Sequence, residues 1–597
     1  MFTIIRQFLA LMGRQRKTYF LAGAALMVAT GFQLAFPWVL KRAVDAISAG
    51  SVALSYLAWL SGLLFAAALL EGVFTYLKSR WSALAAEGTV RDLRNRIFRR
   101  LMLLPFTSHN DMESGDMIQR ATSDIQTIQR FLANQVAEVA RTICLLVGVS
   151  ALLFTLHRTL AMYSLTMLPL IFGFSFYFFG KIRDRFERFD KAEATVTSRL
   201  QEHLSGVRVV KAFAREAHEM SLFTRASEDM AREDIKLARL HAIFWPASDL
   251  LCMLQVVLVL LAGGLKVLSG EISLGAFVAF NTYIMYLVWP VRQVGRLLGE
   301  MGRASVSLRR IREILGMPEE RLTEGAGADG EFRGAVEFRD VGFSYGRDRI
   351  LRDISFRVEP GQTVAVLGAT GAGKTTMMHL LGRYYDDYDG AIYIGGRELR
   401  RFTKQEVRSR VGIVLQEPFL FSRSLRENIA FGAPGASHAD IRAMAVLAAV
   451  DEVIGEFPDG YETMVGERGV TLSGGQKQRV ALARTLLAHT PILILDDTTS
   501  ALDSETEAAV CAAIRGCVDG RTTFIITHRL STAAGADRIL VLDQGRLVQD
   551  GSHEELIACG GIYRSMHERL CDRQAQLKKE LRHDKAWKYR AGIRQAI

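Results

Sequence analysis

Gly368-Ala369-Thr370-Gly371-Ala372-Gly373-Lys374-Thr375 follows directly on the apolar run Val364–Leu367. This is the GxxxxGK[ST] pattern in the setting it needs, after a strand and at the opening of a helix. The glycines let successive backbone N–H groups turn inward around phosphate oxygens. A helix opening near Lys374 adds its positive dipole end. Lys374 can reach the β- and γ-phosphates, the Thr375 hydroxyl can ligate Mg²⁺, and Thr376 completes the nucleotide-binding set. Around this motif, β-rich runs at Ala335–Tyr345, Thr363–Leu367, Gly412–Leu415, Ile492–Leu495 and Thr523–Ile526 alternate with helical patterns, which predicts an α/β domain. The run Ile492–Leu495 ends in Asp496-Asp497. A carboxylate at the tip of a buried strand is the second Mg²⁺ anchor of P-loop enzymes, so ATP and Mg²⁺ are the predicted cofactors.

Upstream the sequence changes character. Six long apolar stretches, 18–40, 52–70, 142–156, 159–180, 250–265 and 272–291, carry no charge. A span needs about 20 predominantly apolar residues, and 142–156 reaches that length only by extending back past Arg141. Six membrane-spanning helices are therefore predicted. The two long connections, Lys78 to Glu138 and Lys181 to Arg239, are charged and helical in pattern. With Arg14, Arg16 and Lys17 holding the N-terminal end in the cytoplasm, both connections fall on the cytoplasmic side. Phe2, Ile5, Phe8 and Leu11 alternate with Arg6, Arg14 and Arg16, so residues 1–16 read as an amphipathic elbow helix on the membrane surface.

The expected layout is an elbow at 1–16, a membrane domain at 17–315, a Gly-rich linker at 316–334, a nucleotide-binding domain at 335–575 and a basic tail at 576–597. Among 597 residues, 49% are hydrophobic and 23% charged, with a net charge of +11. The positive excess sits between apolar runs rather than in an aromatic-interleaved stripe, so it is assigned to topology and not to nucleic acid. The six cysteines form no CxxC pair and no zinc spacing, and they read as free buried thiols in a reducing compartment. The first residues, Met1 to Lys17, show no signal-peptide pattern.

Leu472-Ser473-Gly474-Gly475-Gln476, with the P-loop, the Asp496 strand, Gln416 and His528 in this order, resembles the ATPase of ABC transporters. With the six spans ahead of it, the chain is similar to an ABC exporter half-transporter: an all-α membrane domain of the type I exporter kind fused to an α/β P-loop nucleotide-binding domain. Such a protein is an ATPase coupled to transport, resident in the cell (inner or plasma) membrane with its ATPase domain in the cytoplasm. The resemblance implies that Tyr345 stacks on adenine and that Gln416 senses Mg²⁺. It implies that Ser473, Gly475 and Gln476 contact the γ-phosphate of ATP on a partner chain's P-loop, and that His528 holds the γ-phosphate and the attacking water. Ser500-Ala501-Leu502-Asp503 matches the loop linking two ATP sites, and Val465–Gly469 the exporter-specific segment. Coupling helices are expected near 108–120, around Gly115-Asp116, and near 205–216.

One residue departs from the family pattern. The general base after the strand Asp is normally Glu, and here it is Asp497, one methylene shorter. A base must lie within hydrogen-bond reach of its proton, and a misplacement of about 1 Å costs on the order of a hundredfold. Intact signature and shortened base resemble the degenerate-site subunit of bacterial heterodimeric multidrug exporters. That implies an unlike half-transporter partner carrying Glu. Homodimeric lipid or lipopeptide export is the alternative, and a non-pumping channel or regulator is a third class. Ionisable residues inside spans are default candidates for function, here Glu71, Arg141 and Asp249. Asn281 and the aromatics Phe32, Trp38, Phe280 and Tyr286 are candidates for the same cavity. Acidic groups among aromatics suit an amphipathic small-molecule cargo, with membrane lipids as the surrounding partner.

Overall fold

A computed structural model describes residues 11–50, 53–112, 114–323, 332, 334–466, 469–497, 520–569 and 571. The start of the elbow, Glu467 and Arg468, the Ser500–Asp503 loop, Cys511, Cys517 and the basic tail lie outside the described residues. The chain divides into two compact units. Residues Met1–Leu104 and Asp111–Pro318 form the first, and Pro105–Asn110 with Glu319–Ile597 form the second.

The first unit is helical. Its helices are α1 (Arg16–Ser48) and α2 (Leu54–Met102), then after α3 (Phe106–Asp111) come α4 (Ser114–Ala121), α5 (Ser123–Arg130), α6 (Val136–Leu156), α7 (Arg158–Ala212), α8 (Glu216–Leu268) and α9 (Leu274–Gly316). Among the described residues, six helical stretches are long and apolar enough to cross a membrane. The charged connections turn out to be continuations of the spans. Helices α7 and α8 run 55 and 53 residues, about 80 Å at 1.5 Å per residue, and meet at a turn where Ala214 adopts φ +50°.

Polar groups fix the helix ends and crossings. His157 separates α6 from α7, and its Nδ1 accepts from Leu160 N at 3.1 Å. Asp45 Oδ1 accepts from Gly275 N at 2.8 Å, capping the start of α9. Tyr283 Oη donates to the Leu34 carbonyl at 2.7 Å. Pro37, Pro169, Pro246 and Pro290 lie inside helices, which membrane helices tolerate when neighbours satisfy the freed carbonyls. The core gathers Val149, Leu160, Ile171, Val259, Phe280 and Tyr283. Phe280, expected to line a cavity, is 1% exposed and belongs to this packing instead.

The second unit holds β1 (Val336–Tyr345), β2 (Asp348–Val358), β3 (Thr363–Gly368), β4 (Asp389–Ile394), β5 (Arg397–Glu398), β6 (Val411–Val414), β7 (Ile492–Asp496), β8 (Thr522–Ile526), β9 (Arg538–Asp543) and β10 (Arg546–Gly551). The first sheet has the order β2-β1-β4-β5 and is antiparallel. The second has the order β10-β9-β3-β8-β7-β6 and is parallel from β9 to β6. Its helices are α10 (Lys374–Leu381), α11 (Lys404–Arg410), α12 (Leu425–Ala430), α13 (His438–Leu447), α14 (Asp451–Gly455), α15 (Gly474–Leu487), α16 (Leu530–Ala534) and α17 (His553–Cys559). The five strands read from the sequence are all present. Strands such as β2 and β10 interleave polar residues on an exposed face, so their apolar signal is weaker.

The thiols are not uniformly buried. Cys252 is buried, Cys144 half-buried, and Cys559 and Cys571 are exposed near the end of the second unit; all four are free.

Candidate functional site

The parallel sheet sets the site. Strands β3, β8 and β7 are neighbours, with Val366 opposite Ile526 and Ile526 opposite Asp496. Their C-terminal ends therefore release the P-loop, His528 and the Asp496-Asp497 pair at one edge, where open α/β sheets bind ligands.

The P-loop is shaped by its glycines. Gly373 sits at φ +94° as the N-cap of α10, and a Cβ there would stand 2.6 Å from Leu351 Cδ2. Gly368 leaves β3 at φ +152°, and a Cβ would stand 2.2 Å from the Leu542 carbonyl oxygen. Gly371 and Thr370 are exposed at the turn. Lys374 is buried, and its Nζ donates to the carbonyls of Gly368 and Ala369, at 2.9 Å each. Thr375 Oγ1 donates to Asp496 Oδ2 at 2.8 Å. The two side chains assigned to Mg²⁺ are thus already in contact.

Electrostatics follow from burial. Burial pushes the Lys374 ammonium below its usual range, with Asp496 and Asp497 opposing. Burial raises the Asp496 carboxyl; the Thr375 hydrogen bond opposes this, and the nearby Asp497 charge adds to it. A site that holds Lys374 and two carboxylates together, with glycine-opened N–H groups above them, fits a nucleotide phosphate with a divalent cation.

Asp497 adopts φ +47°, a region costly for most side chains but comparatively open to Asp. Its N–H donates to the Ile526 carbonyl at 2.9 Å, so the backbone position is held by β8. His528, two residues past β8, is exposed and within electrostatic range of Asp496. Tyr345 ends β1, 37% exposed, with Oη 3.5 Å from Thr376 Oγ1 and its ring edge-on to Phe343 and Tyr385. Gln416 is exposed, two residues beyond β6.

The signature loop is a helix cap. Ser473 is the N-cap of α15; its Oγ accepts from Gln476 N at 3.3 Å, and Gln476 Oε1 accepts from Ser473 N at 2.8 Å. This capping box leaves Gly474 and Gly475 opening the helix with Ser473 exposed. The sequence reading missed Arg484, on the far turn of the same helix. Arg484 donates to the carbonyls of Phe419 and Asn428 at 2.9 and 2.8 Å and to Asn428 Oδ1 at 2.9 Å. It ties the segment after Gln416 to the signature helix. Burial lowers its guanidinium to about 10, still charged at neutral pH.

The segment expected to hold the first coupling helix is split. Gly115 and Asp116 lie in α4 of the first unit, where Asp116 pairs with Arg120 at 2.8 Å and Arg120 reaches Glu313 at 3.0 Å. Pro105–Asn110 belong to the second unit, with the Phe106 ring 5.0 Å from Tyr384 and 5.7 Å from Tyr385. An isolated Phe in a charged connection carries no periodic signal, so sequence alone did not single it out. Of residues 205–216, those up to Ala212 end α7, 213–215 make the turn and Glu216 opens α8, with Phe213 74% exposed.

Within the spans the four cargo candidates do not form one cluster. Glu71 lies within range of the Arg141 charge, and Arg141 contacts Gln33 at 3.5 Å. Asp249 pairs instead with Arg292 at 2.6 Å. Arg292, missed in the sequence because it follows the uncharged run, lies over the Trp245 ring at 5.1 Å. The Asn281 side chain makes no hydrogen bond among the described residues, and Tyr286 lies within range of Glu71.

Comparison with known proteins agrees with this geometry. Residues 19–291 match the ABC transporter transmembrane region and residues 351–500 the ABC transporter ATPase family. A solved bacterial Atm1-family ABC exporter with ATP bound superposes with a TM-score of 0.81 at 30% identity, over 93% of this chain and 98% of that one. An ATP-dependent lipid A-core flippase of Aromatoleum aromaticum is 36% identical, covering 83% of each chain. A putative multidrug export ATP-binding/permease protein of Bacillus subtilis is 33% identical over 94% of this chain and 98% of its own.

The likeness to the Atm1-family exporter and to lipid A-core flippases overturns the assignment to a degenerate-site subunit of heterodimeric multidrug exporters. The unlike partner with a Glu base falls with it. The physical reason is visible in the site: Lys374, Thr375, Asp496 and the Ser473 cap are all in place, and Asp497 still supplies a carboxylate on a fixed backbone. One short side chain does not make a dead site. With six spans, a P-loop ATPase and a signature cap on one chain, matched along nearly its whole length, the protein belongs to the ABC transporter family and is a multi-pass membrane ATPase with its nucleotide-binding domain in the cytoplasm.

Proposed function

We propose that two copies of this chain form an exporter that uses ATP and Mg²⁺ to move an amphipathic, lipid-like molecule across the membrane. The observation that carries the reading is that this one chain holds both halves of an ATP site, the Lys374–Thr375–Asp496 cluster and the Ser473 cap. Two like copies then make two like sites, each completed by the other copy's α15 N-terminus. The lipid A-core flippases among the relatives, at 30–36% identity, support a lipid-like cargo. Ionisable groups inside apolar spans, Glu71 within range of the Arg141 charge and Asp249 paired with Arg292, suit a molecule with a charged head and an apolar body.

In this reading Lys374 steadies the β- and γ-phosphates, while Thr375 and Asp496 hold the cation. Bound Mg²⁺ supplies charge neutralisation at the transferring phosphoryl group. Asp497 takes the proton from the attacking water, His528 orients it, and Tyr345 packs against the base. Gln416, two residues beyond β6, senses the Mg²⁺ at the same sheet edge.

Complementation tests the pairing. Lys374→Ala and Ser473→Ala chains are each expected to give inactive dimers. Co-expressed, they form mixed dimers in which one site joins an intact P-loop to an intact signature, so part of the ATPase returns. No recovery, or no ATPase from the purified chain alone, would remove the like-pair reading. ATP-dependent transfer of a fluorescent lipid in vesicles of the reconstituted protein tests the cargo class.

A further inference from the structure

The helices at the start of the first span leave a cavity of about 570 Å³, within the ~300–1,000 Å³ range of ligand sites. It is half open and is lined by Tyr19, Gly23 and Leu26 of α1, Ser82 of α2, and Ala137 and Ala140 of α6. Its wall is almost wholly apolar. Ser82 Oγ is committed to the Ala133 carbonyl at 2.6 Å. The Tyr19 hydroxyl is buried with the Thr89 hydroxyl as its hydrogen-bonding neighbour, and Thr89 itself donates to the Ala85 carbonyl at 2.8 Å.

The cavity lies at a defined depth. Arg14, Arg16 and Lys17 immediately precede the uncharged run 18–40, so Tyr19 stands at the cytoplasmic membrane boundary. Arg16 is part of the cavity lining. All three cations are exposed, form no ion pair among the described residues, and face no acid in the first turn of α1. An apolar slot with a tyrosine hydroxyl in its wall and the exposed Arg16 guanidinium in its lining, Arg14 and Lys17 beside it in sequence, matches one class of molecule: an acyl chain carrying an anionic phosphate head.

We infer that this cavity binds one anionic phospholipid of the inner leaflet per chain. Its acyl chain fills the space beside Gly23 and Ala137, its ester region accepts from Tyr19 Oη, and its phosphate lies against Arg16. The lining includes none of the proposed cargo residues, and the inference does not depend on that reading.

The test uses the full chain reconstituted in vesicles of phosphatidylcholine with or without phosphatidylglycerol, re-extracted in mild detergent and weighed by native mass spectrometry. The wild type is expected to retain one phosphatidylglycerol per chain. Gly23→Leu fills the slot; nothing lies within 4 Å of a Cβ at that position, so the backbone need not move. This variant is expected to lose the lipid while keeping its basal ATPase in phosphatidylcholine, which serves as the folding control. Arg16→Glu is expected to reduce the preference for phosphatidylglycerol about tenfold, and Tyr19→Phe to weaken retention without changing headgroup preference. Equal lipid counts in wild type and Gly23→Leu would overturn the inference, as would equal retention of the two lipids by the wild type. Lipid retention that appears only after deletion of residues 1–10 would also overturn it, because the chain's own N-terminal segment would then be the occupant.

Discussion

At the scale of single residues, the short base at Asp497 decides rate rather than occupancy. Its backbone is pinned to Ile526, so Asp497→Glu lengthens the side chain from a fixed origin. The expected outcome is a rise in kcat of about tenfold or more with KM for ATP little changed, measured as steady-state ATPase. An unchanged kcat would show that proton abstraction does not limit turnover. The Asp249–Arg292 pair gives an asymmetric prediction. Arg292 is buried, whereas the Asp249 side chain is 60% exposed. Asp249→Ala strands a buried guanidinium and is expected to cost about 3–5 kcal/mol. Arg292→Met leaves only an exposed carboxylate and should cost clearly less. Thermal unfolding of the two variants compares them, and equal losses would mean that the buried charge finds another partner.

At the scale of elements, two side chains hold the ATPase unit's pieces in register. Arg484 bridges α15 to the segment after Gln416 and stacks on Phe421 and Phe431. Arg484→Ala removes the donor to the Asn428 carbonyl and one of the two donors to its amide oxygen, which keeps the Phe421 N–H, and should lower both melting temperature and ATPase. Arg484→Lys, with one of the three hydrogen bonds reachable, should restore stability only in part. Glu320 does the same for the chain entering this unit: Arg408 donates to it at 2.6 and 2.7 Å and Lys404 at 3.0 Å. Burial alone would raise its carboxyl, but these hydrogen bonds outweigh burial and hold it below the usual range. A carboxyl depressed in the folded state gives stability that is fully present above its unfolded value near 4.5 and is lost as pH falls through the lower folded value. Acid unfolding of wild type against Glu320→Gln should therefore converge below that range and separate above it. Elements with a strong period were legible beforehand: the six spans, and β3, β7 and β8, whose apolar runs are continuous because both faces are buried. Strand β2, with Arg349, Arg352 and Arg357 on its exposed positions, was not.

At the scale of the whole molecule, two identical chains should suffice. The purified chain is expected to migrate at twice its own mass in mild detergent and to hydrolyse ATP without a second polypeptide, and a monomer without activity would contradict this. The sequence by itself determined the six spans, the P-loop, the Mg²⁺ anchor at Asp496 and the signature loop, because each is a local pattern whose chemistry lies in adjacent residues. It led to the wrong partner, because one changed side chain was weighed without the intact contacts around it. Only the tertiary structure brought Thr375 to Asp496 across 121 positions, Arg484 to Phe419 and Arg292 to Asp249, and opened the cavity beside Tyr19. Those pairings depend on which strands lie side by side and how helices cross, and no periodicity along the chain records either.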